Sequence, residues 1–198
     1  TLKTLTVTGD KDLTVSNSID FAATANGAVI DGTIDASTFS GKLSVLATTA
    51  QTLSVTGGSG DDTISLGARL TKNDVIDGGA GADTLSITAT ANRDFASHSI
   101  SNIETVELGV DTNTLTAYNV KDLGDTVTVA VKATTTDKDV TITNLANGNT
   151  VKVTNDSAGT LELGNVVTNL EVGTGLTDAM NVKLVAKTDA DQTLDLFT

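Results

Sequence analysis

Two nine-residue segments, starting 21 residues apart, constrain this chain more than any other feature. Residues 57–65 read GGSGDDTIS and residues 78–86 read GGAGADTLS. Both fit the pattern G-G-x-G-x-D-x-U-x, where U is a large aliphatic residue. Between them, residues 69–77 (RLTKNDVID) keep Asp74 and Ile76 in register but lack the glycines, and a three-residue insertion, Leu66–Ala68, follows the first copy. Glycines let the backbone take left-handed conformations that turn its carbonyls toward a common point. The aspartate at position six adds a charged oxygen from the side, and the aliphatic residue at position eight points from a short strand into a core. One nonapeptide makes half a coil, so alternate copies stack on the same side, and the turns at 57–62 and 78–83 are predicted neighbours. Carbonyl oxygens together with Asp62 and Asp83 would form a hard, all-oxygen cage suited to Ca²⁺. Mg²⁺ fits less well, because it holds its waters and wants a tighter octahedron. The opposite-side turn, Leu70–Asp74, is degenerate and predicts a weaker site at most, using Asn73, Asp74 or Asp77.

The rest of the chain agrees with a coil of short strands. Apolar residues alternate with period two in brief bursts: Leu5/Val7, Leu13/Val15, Leu43/Val45, Leu53/Val55, Ile64/Leu66, Leu85/Ile87 and Val106/Leu108. Further pairs follow at Val127/Val129/Val131, Val140/Ile142, Val151/Val153, Leu161/Leu163, Leu170/Val172, Val182/Leu184 and Leu194/Leu196. Such spacing predicts an all-β fold, a parallel β-solenoid or β-roll, with a more sandwich-like arrangement open for the C-terminal part. Thr, 37 of the 198 residues, suits the solvent face of strands. The acids are 21 Asp against 4 Glu, which places the negative charge at turns rather than on helices. Three stretches break the alternation: a loop at 20–41 with a single helical turn at Ala36–Ser40, and candidate short helices at 91–99 and 117–124. Soft boundaries divide the chain into an N-terminal β segment (1–50), a glycine-turn roll (51–108) and a Thr-rich β segment (109–198).

Composition removes several classes of function. A formal charge of −13 with only two Arg argues against nucleic acid as a partner. No apolar run approaches the roughly 18 residues of a membrane span, so insertion into a bilayer is not expected. The absence of Cys excludes disulfides and zinc–thiolate sites. His98, beside Ser97 and Ser99 and four residues after Asp94, is the one nominal Ser/His/Asp collection, and adjacency in sequence does not make a triad. The expectation is therefore a non-enzymatic chain. Acidic pairs at Asp10/Asp12, Asp31/Asp35, Asp137/Asp139 and Asp189/Asp191 read as solvated turns, with additional Ca²⁺ sites as the alternative.

The nonapeptides resemble the RTX (repeats-in-toxin) calcium-binding β-roll. A longer stretch, residues 34–108, is similar to RTX-type surface-layer (S-layer) proteins of Gram-negative bacteria, through IDASTFSGKLSV at 34–45, the repeat run, and SNIETVEL at 101–108. That resemblance implies a secreted, extracellular structural protein that is exported by type I secretion and needs Ca²⁺ to fold. It also implies self-association into a two-dimensional lattice on the cell surface, with cell-surface polysaccharide bound through regions outside this segment. The chain starts in mid-pattern and reads as a fragment. By the same resemblance the calcium ligands are Asp62 and Asp83 with backbone carbonyls of Gly57, Ser59, Gly60, Gly78, Ala80 and Gly81. Alternatives are an adhesin module on the cell surface and the non-catalytic RTX region of a type I-secreted hydrolase.

Overall fold

The structure, a computed structural model, describes residues 2–19, 21, 31–48, 52–89, 93–110, 116–123, 127–133, 140–143, 150–155, 167–169 and 181–185. It divides into two compact units: Thr1–Ile87 with Ser97–Val106, and Thr88–Ala96 with Glu107–Thr198.

The first unit holds β1 (Thr4–Thr6), β2 (Leu13–Val15), β3 (Gly32–Asp35), β4 (Leu43–Leu46), β5 (Leu53–Thr56), β6 (Thr63–Gly67), β7 (Val75–Asp77) and β8 (Thr84–Ala89). After β9 (Arg93–Asp94), which belongs to the second unit, β10 (Ser99–Ser101) returns to the first. Alternate strands join alternate sheets: β1-β3-β5-β7-β10 form one, and β2-β4-β6-β8 run in order in the other. Every pairing is parallel, for example Ile34↔Val55 and Val55↔Ile76 in one sheet and Val45↔Ile64 in the other. A strand that pairs with the strand two places on, always in parallel, is the signature of a β-solenoid. Because each coil repeats the last in register, one inward aliphatic residue sits above the next. Ile34, Val55 and Ile76 are fully buried, as are Ile64 and Leu85. These rows supply the apolar burial that holds the coils together. The insertion Leu66–Ala68 is absorbed by a register shift between Ser65 and Gly67, where Gly67 takes φ 55°.

The second unit has the same winding. Its strands include most of β11 (Thr105–Val110), then β12 (Thr116–Asn119), β13 (Thr128–Ala133), β14 (Val140–Thr143), β15 (Thr150–Asn155), β16 (Val167–Asn169) and β17 (Asn181–Val185). β9-β12-β14-β16 make one parallel sheet, and β13-β15-β17 pair in parallel in another. The sandwich alternative for residues 109–198 does not hold for these strands, since a sandwich is built from antiparallel neighbours. Tyr118 and Phe95 stack inside this unit at 6.5 Å between ring centroids, and the Tyr118 hydroxyl donates to the Gly109 carbonyl at 3.1 Å. That bond lets a polar aromatic side chain be fully buried.

Both candidate short helices are replaced by strands and turns. Residues 93–99 contain β9, a turn, and the start of β10, and residues 116–119 are β12. Parallel pairing with the neighbouring coils overrides a weak local pattern. At Ala36–Ser40 the chain makes a single reversal, with the Phe39 amide on the Ala36 carbonyl at 2.8 Å. The strand bursts at Leu161/Leu163, Leu170/Val172 and Leu194/Leu196 lie outside the described residues, as do Asp137/Asp139 and Asp189/Asp191.

Candidate calcium centre

The glycine turns stack as their 21-residue spacing predicts. The Gly57 amide donates to the Asp77 carbonyl at 2.8 Å, and the Ala80 amide to the Gly58 carbonyl at 2.9 Å. Approach is so close that a side chain on Gly57 would overlap the Gly78 carbonyl oxygen, and one on Gly58 would overlap that of Phe39. Close backbone contact is therefore what requires glycine at 57, 58 and 60. None of these three adopts positive φ, in contrast to the expectation of left-handed turns throughout. In the second copy Gly79 (φ 95°) and Gly81 (φ 128°) do adopt it. Gly57, Gly58 and Gly78 are buried, Gly60 is half-buried, and Ser59, Ala80 and Gly81 lie on the exposed rim.

The position-six aspartates Asp62 and Asp83 are each only 1% exposed, unusual for carboxylates. Asp62 is satisfied by the backbone: the Leu43 amide donates to Oδ1 at 2.8 Å and the Gly58 amide to Oδ2 at 2.7 Å. For Asp83, Oδ1 accepts the Asp62 amide at 2.7 Å, while Oδ2 is buried with no hydrogen-bond donor. Burial, reinforced by the charges of Asp62, Glu104 and Asp61, pushes the Asp83 carboxyl up to about 6, although the Asp62 amide acts in the opposite direction. Asp61, on the exposed rim, is held below the usual carboxylate range by the Ala82 amide and by Lys42, whose ammonium lies 3.3 Å away.

At the weaker predicted site on the opposite edge, both Asp74 side-chain oxygens carry backbone donors. Asp74 is buried, its Oδ1 accepts the Leu53 amide at 2.8 Å, and its Oδ2 accepts the Thr71 amide at 2.7 Å. Asn73 is exposed. Asp77 is not beside Asp74 in function: its Oδ1 braces the second glycine turn, accepting the Gly79 amide at 3.1 Å and Asn102 Nδ2 at 2.7 Å.

Sequence reasoning missed Glu104. Its Oε2 accepts the Asp83 amide at 2.7 Å, while the Asp83 carbonyl accepts the amides of Glu104 and Thr105 at 3.1 and 3.0 Å. Leu43→Asp62, Asp62→Asp83 and Asp83→Glu104 thus form one series, in which each coil's amide is held by the next coil's carboxylate. The signal is a second 21-residue step, from Asp83 to Glu104 after Asp62 to Asp83, but no glycine pattern marks it.

These residues fit a divalent ion. One buried carboxylate oxygen lacks a donor, and two glycine turns bring carbonyl oxygens into contact range of the neighbouring coil. Among the described residues, no three His, Cys, Asp or Glu side chains gather into a metal site, so such an ion would draw largely on backbone carbonyls.

Residues 54–68 and 70–86 match the family model of the RTX calcium-binding nonapeptide repeat (4 copies), a family that binds Ca²⁺. No curated protein and no solved structure matches the chain. Stacked glycine turns, buried position-six aspartates and the family match together identify residues 54–86 as an RTX calcium-binding repeat tract on a β-solenoid.

Proposed function

We propose that this chain is a calcium-stabilised structural segment of a secreted bacterial S-layer protein, which assembles into a two-dimensional lattice on the cell surface and has no catalytic role. RTX repeat proteins are typically secreted and extracellular. The observation that carries the calcium reading is the buried, donorless Oδ2 of Asp83 beside a turn that another glycine turn overlies. Asp62 and Asp83, with carbonyls of Gly57, Ser59, Gly60 and of Gly78, Ala80, Gly81, would hold the ion. When bound, Ca²⁺ supplies the positive charge that the buried carboxylates lack. The chain's own contribution is to fix its turns at van der Waals distance through the aliphatic rows of Ile34, Val55, Ile76 and Ile64, Leu85, so that little ordering remains to be done on binding.

Where free Ca²⁺ is scarce, the charge of −13 and the donorless carboxylate disfavour the compact coil. With an affinity typical of extracellular modules, about 0.1 mM, calcium at ~1 mM stabilises by roughly 1.4 kcal/mol per site. Lattice formation is supported by the resemblance of residues 34–108 and by the pairing edges of β1 and β10, which end their sheet among the described residues.

Circular dichroism and thermal unfolding in 5 mM Ca²⁺ and in EGTA test the first half of the reading: a higher midpoint in Ca²⁺ is expected, and identical curves would refute it. Sedimentation and electron microscopy in Ca²⁺ test the second. Sheets or large assemblies are expected, whereas a monomer at all Ca²⁺ concentrations would favour the adhesin alternative.

A further inference from the structure

The charge of −13 is spread unevenly over the sheets. In the second unit, β13, β15 and β17 (TVAVKA, TVKVTN and NVKLV) hold three lysines and no acid. Their register is continuous: Val129↔Val151↔Val182 and Val131↔Val153↔Leu184 alternate with Ala130↔Lys152↔Lys183 and Lys132↔Thr154↔Val185. Val129 is fully buried, so the aliphatic set belongs to the core face and the lysine set to the other face. Lys152 and Lys183 are direct neighbours across the ladder, on strands about 4.8 Å apart, and Lys132 stands on the next strand two residues further along. Like charges opposite one another in a ladder destabilise it unless a group of the other sign meets them.

The first unit presents the reverse. β1, β3, β5, β7 and β10 hold two acids and no base. Register places both in one row, Thr6↔Asp35↔Thr56↔Asp77↔Ser101, beside the buried row of Ile34, Val55 and Ile76. Asp35 and Asp77 are half-buried and lie two strands apart, about 10 Å, the same separation as that between the strands of Lys132 and Lys183. Hydrogen bonds from the Ser37 hydroxyl and amide hold the Asp35 carboxyl below the usual carboxylate range, so it is charged at neutral pH. Among the described residues the ion pairs are Lys11–Asp10 and Lys42–Asp61, and neither acid of this row belongs to one.

We infer that the lysine face of β13-β15-β17 docks a second copy of this chain, on the acid row of that copy's β1-β3-β5-β7-β10 sheet. At −13, copies repel one another over most of their surface, so a contact forms where a local patch reverses the sign. One face carries lysines without acids, and the other carries acids without lysines. Both are parallel ladders with the same strand spacing, so the two sheets can lie face to face with their charges in step. The contact joins two different surfaces; it is heterologous, and it propagates from copy to copy instead of closing on a pair. It rests on the lattice reading of the proposed function and names the contact through which that lattice grows, without using the oxygens of Asp62 or Asp83.

Sedimentation of the full chain in 5 mM Ca²⁺ tests it, with Lys152→Glu/Lys183→Glu, with Asp35→Lys, and with an equimolar mixture of the two variants. Circular dichroism first establishes that each folds like wild type. Lys152→Gln/Lys183→Gln and Asp35→Asn, which remove charge without reversing it, serve where a reversal disturbs the fold. Each reversed variant alone is expected to need about tenfold more protein than wild type to form assemblies. The mixture, in which reversed face meets reversed face, should assemble near the wild-type concentration. Variants that each assemble like wild type would overturn the contact and leave the lattice reading standing. A lysine variant that fails alone and is not rescued in the mixture would assign its face to another anionic partner and overturn the pairing. Wild type that stays monomeric at all Ca²⁺ concentrations would overturn both.

Discussion

Asp74 and Asp83, on opposite edges of the first unit's coil, are satisfied in different ways. On the edge of Thr71–Asp74, the buried carboxylate has a backbone amide on each oxygen, from Leu53 in the preceding coil and from Thr71 in its own turn. On the glycine-turn edge, Asp83 shares the same register but has one amide and one bare oxygen. An aspartate in this repeat can therefore be a closed, protein-only clamp or an open acceptor. The direction of one amide decides which: Gly58 gives its amide to Asp62 Oδ2, whereas Gly79 gives its amide to Asp77 and leaves Asp83 Oδ2 bare. Asp74 is satisfied by amides from the protein alone, whereas Asp83 keeps one buried oxygen without a donor.

Removing the clamp should have the largest effect. Asp74→Ala strands two amides, one of them buried, and is expected to lower stability by about 3 kcal/mol. Urea unfolding should show that loss equally in Ca²⁺ and in EGTA. A loss confined to one condition would show that the two edges are not independent.

A smaller effect separates the edges by pH. Because the folded Asp83 carboxyl is raised to about 6 from 3.8, the folded state holds this proton more tightly than the unfolded chain does. The penalty is fully present above pH 6 and is relieved as pH falls through 6 toward 3.8. In EGTA the first unit should therefore gain on the order of 1 kcal/mol between pH 7.5 and pH 5. Saturating Ca²⁺ should flatten this slope, since the cation takes the proton's place, and Asp83→Asn should abolish it. A slope that survives Asp83→Asn would assign the titration to another group.

The smallest effect is expected on the exposed rim. The Lys42–Asp61 pair is largely solvated, so Lys42→Ala should change stability by no more than about 0.5 kcal/mol, and less at high salt. A larger change would mean that Lys42 also screens the carboxylates at the open edge.

Much of this was readable from sequence, for a physical reason. Period-two alternation maps onto inward and outward positions of strands, so Leu43/Val45, Leu53/Val55 and Ile64/Leu66 announce β4, β5 and β6 directly. The glycine pattern and its 21-residue step placed the two turns side by side. What was hidden lay where neighbouring coils, not local sequence, decide the outcome. β3 lies inside the loop expected at 20–41 and places Gly32 at its first position, where Phe21 packs against the space a side chain would fill, 2.6 Å from it. β9, β10 and β12 are short and weakly patterned, and form because a paired strand already stands in the adjacent coil. Glu104 was invisible because its role is to accept an amide 21 residues earlier, a relation no composition or window reports. The choice between clamp and open acceptor depends on where one amide points, and Asp62 and Asp83 look identical until that is known.

The carboxylate series has a polarity with consequences for how the molecule can be made or shortened. The amide of Leu43 waits for Asp62, that of Asp62 for Asp83, and that of Asp83 for Glu104, so every rung is finished only by the one after it. A nascent stack is always one acceptor short at its growing tip, and cutting the chain just before Glu104 would strand a donor inside an otherwise complete wall.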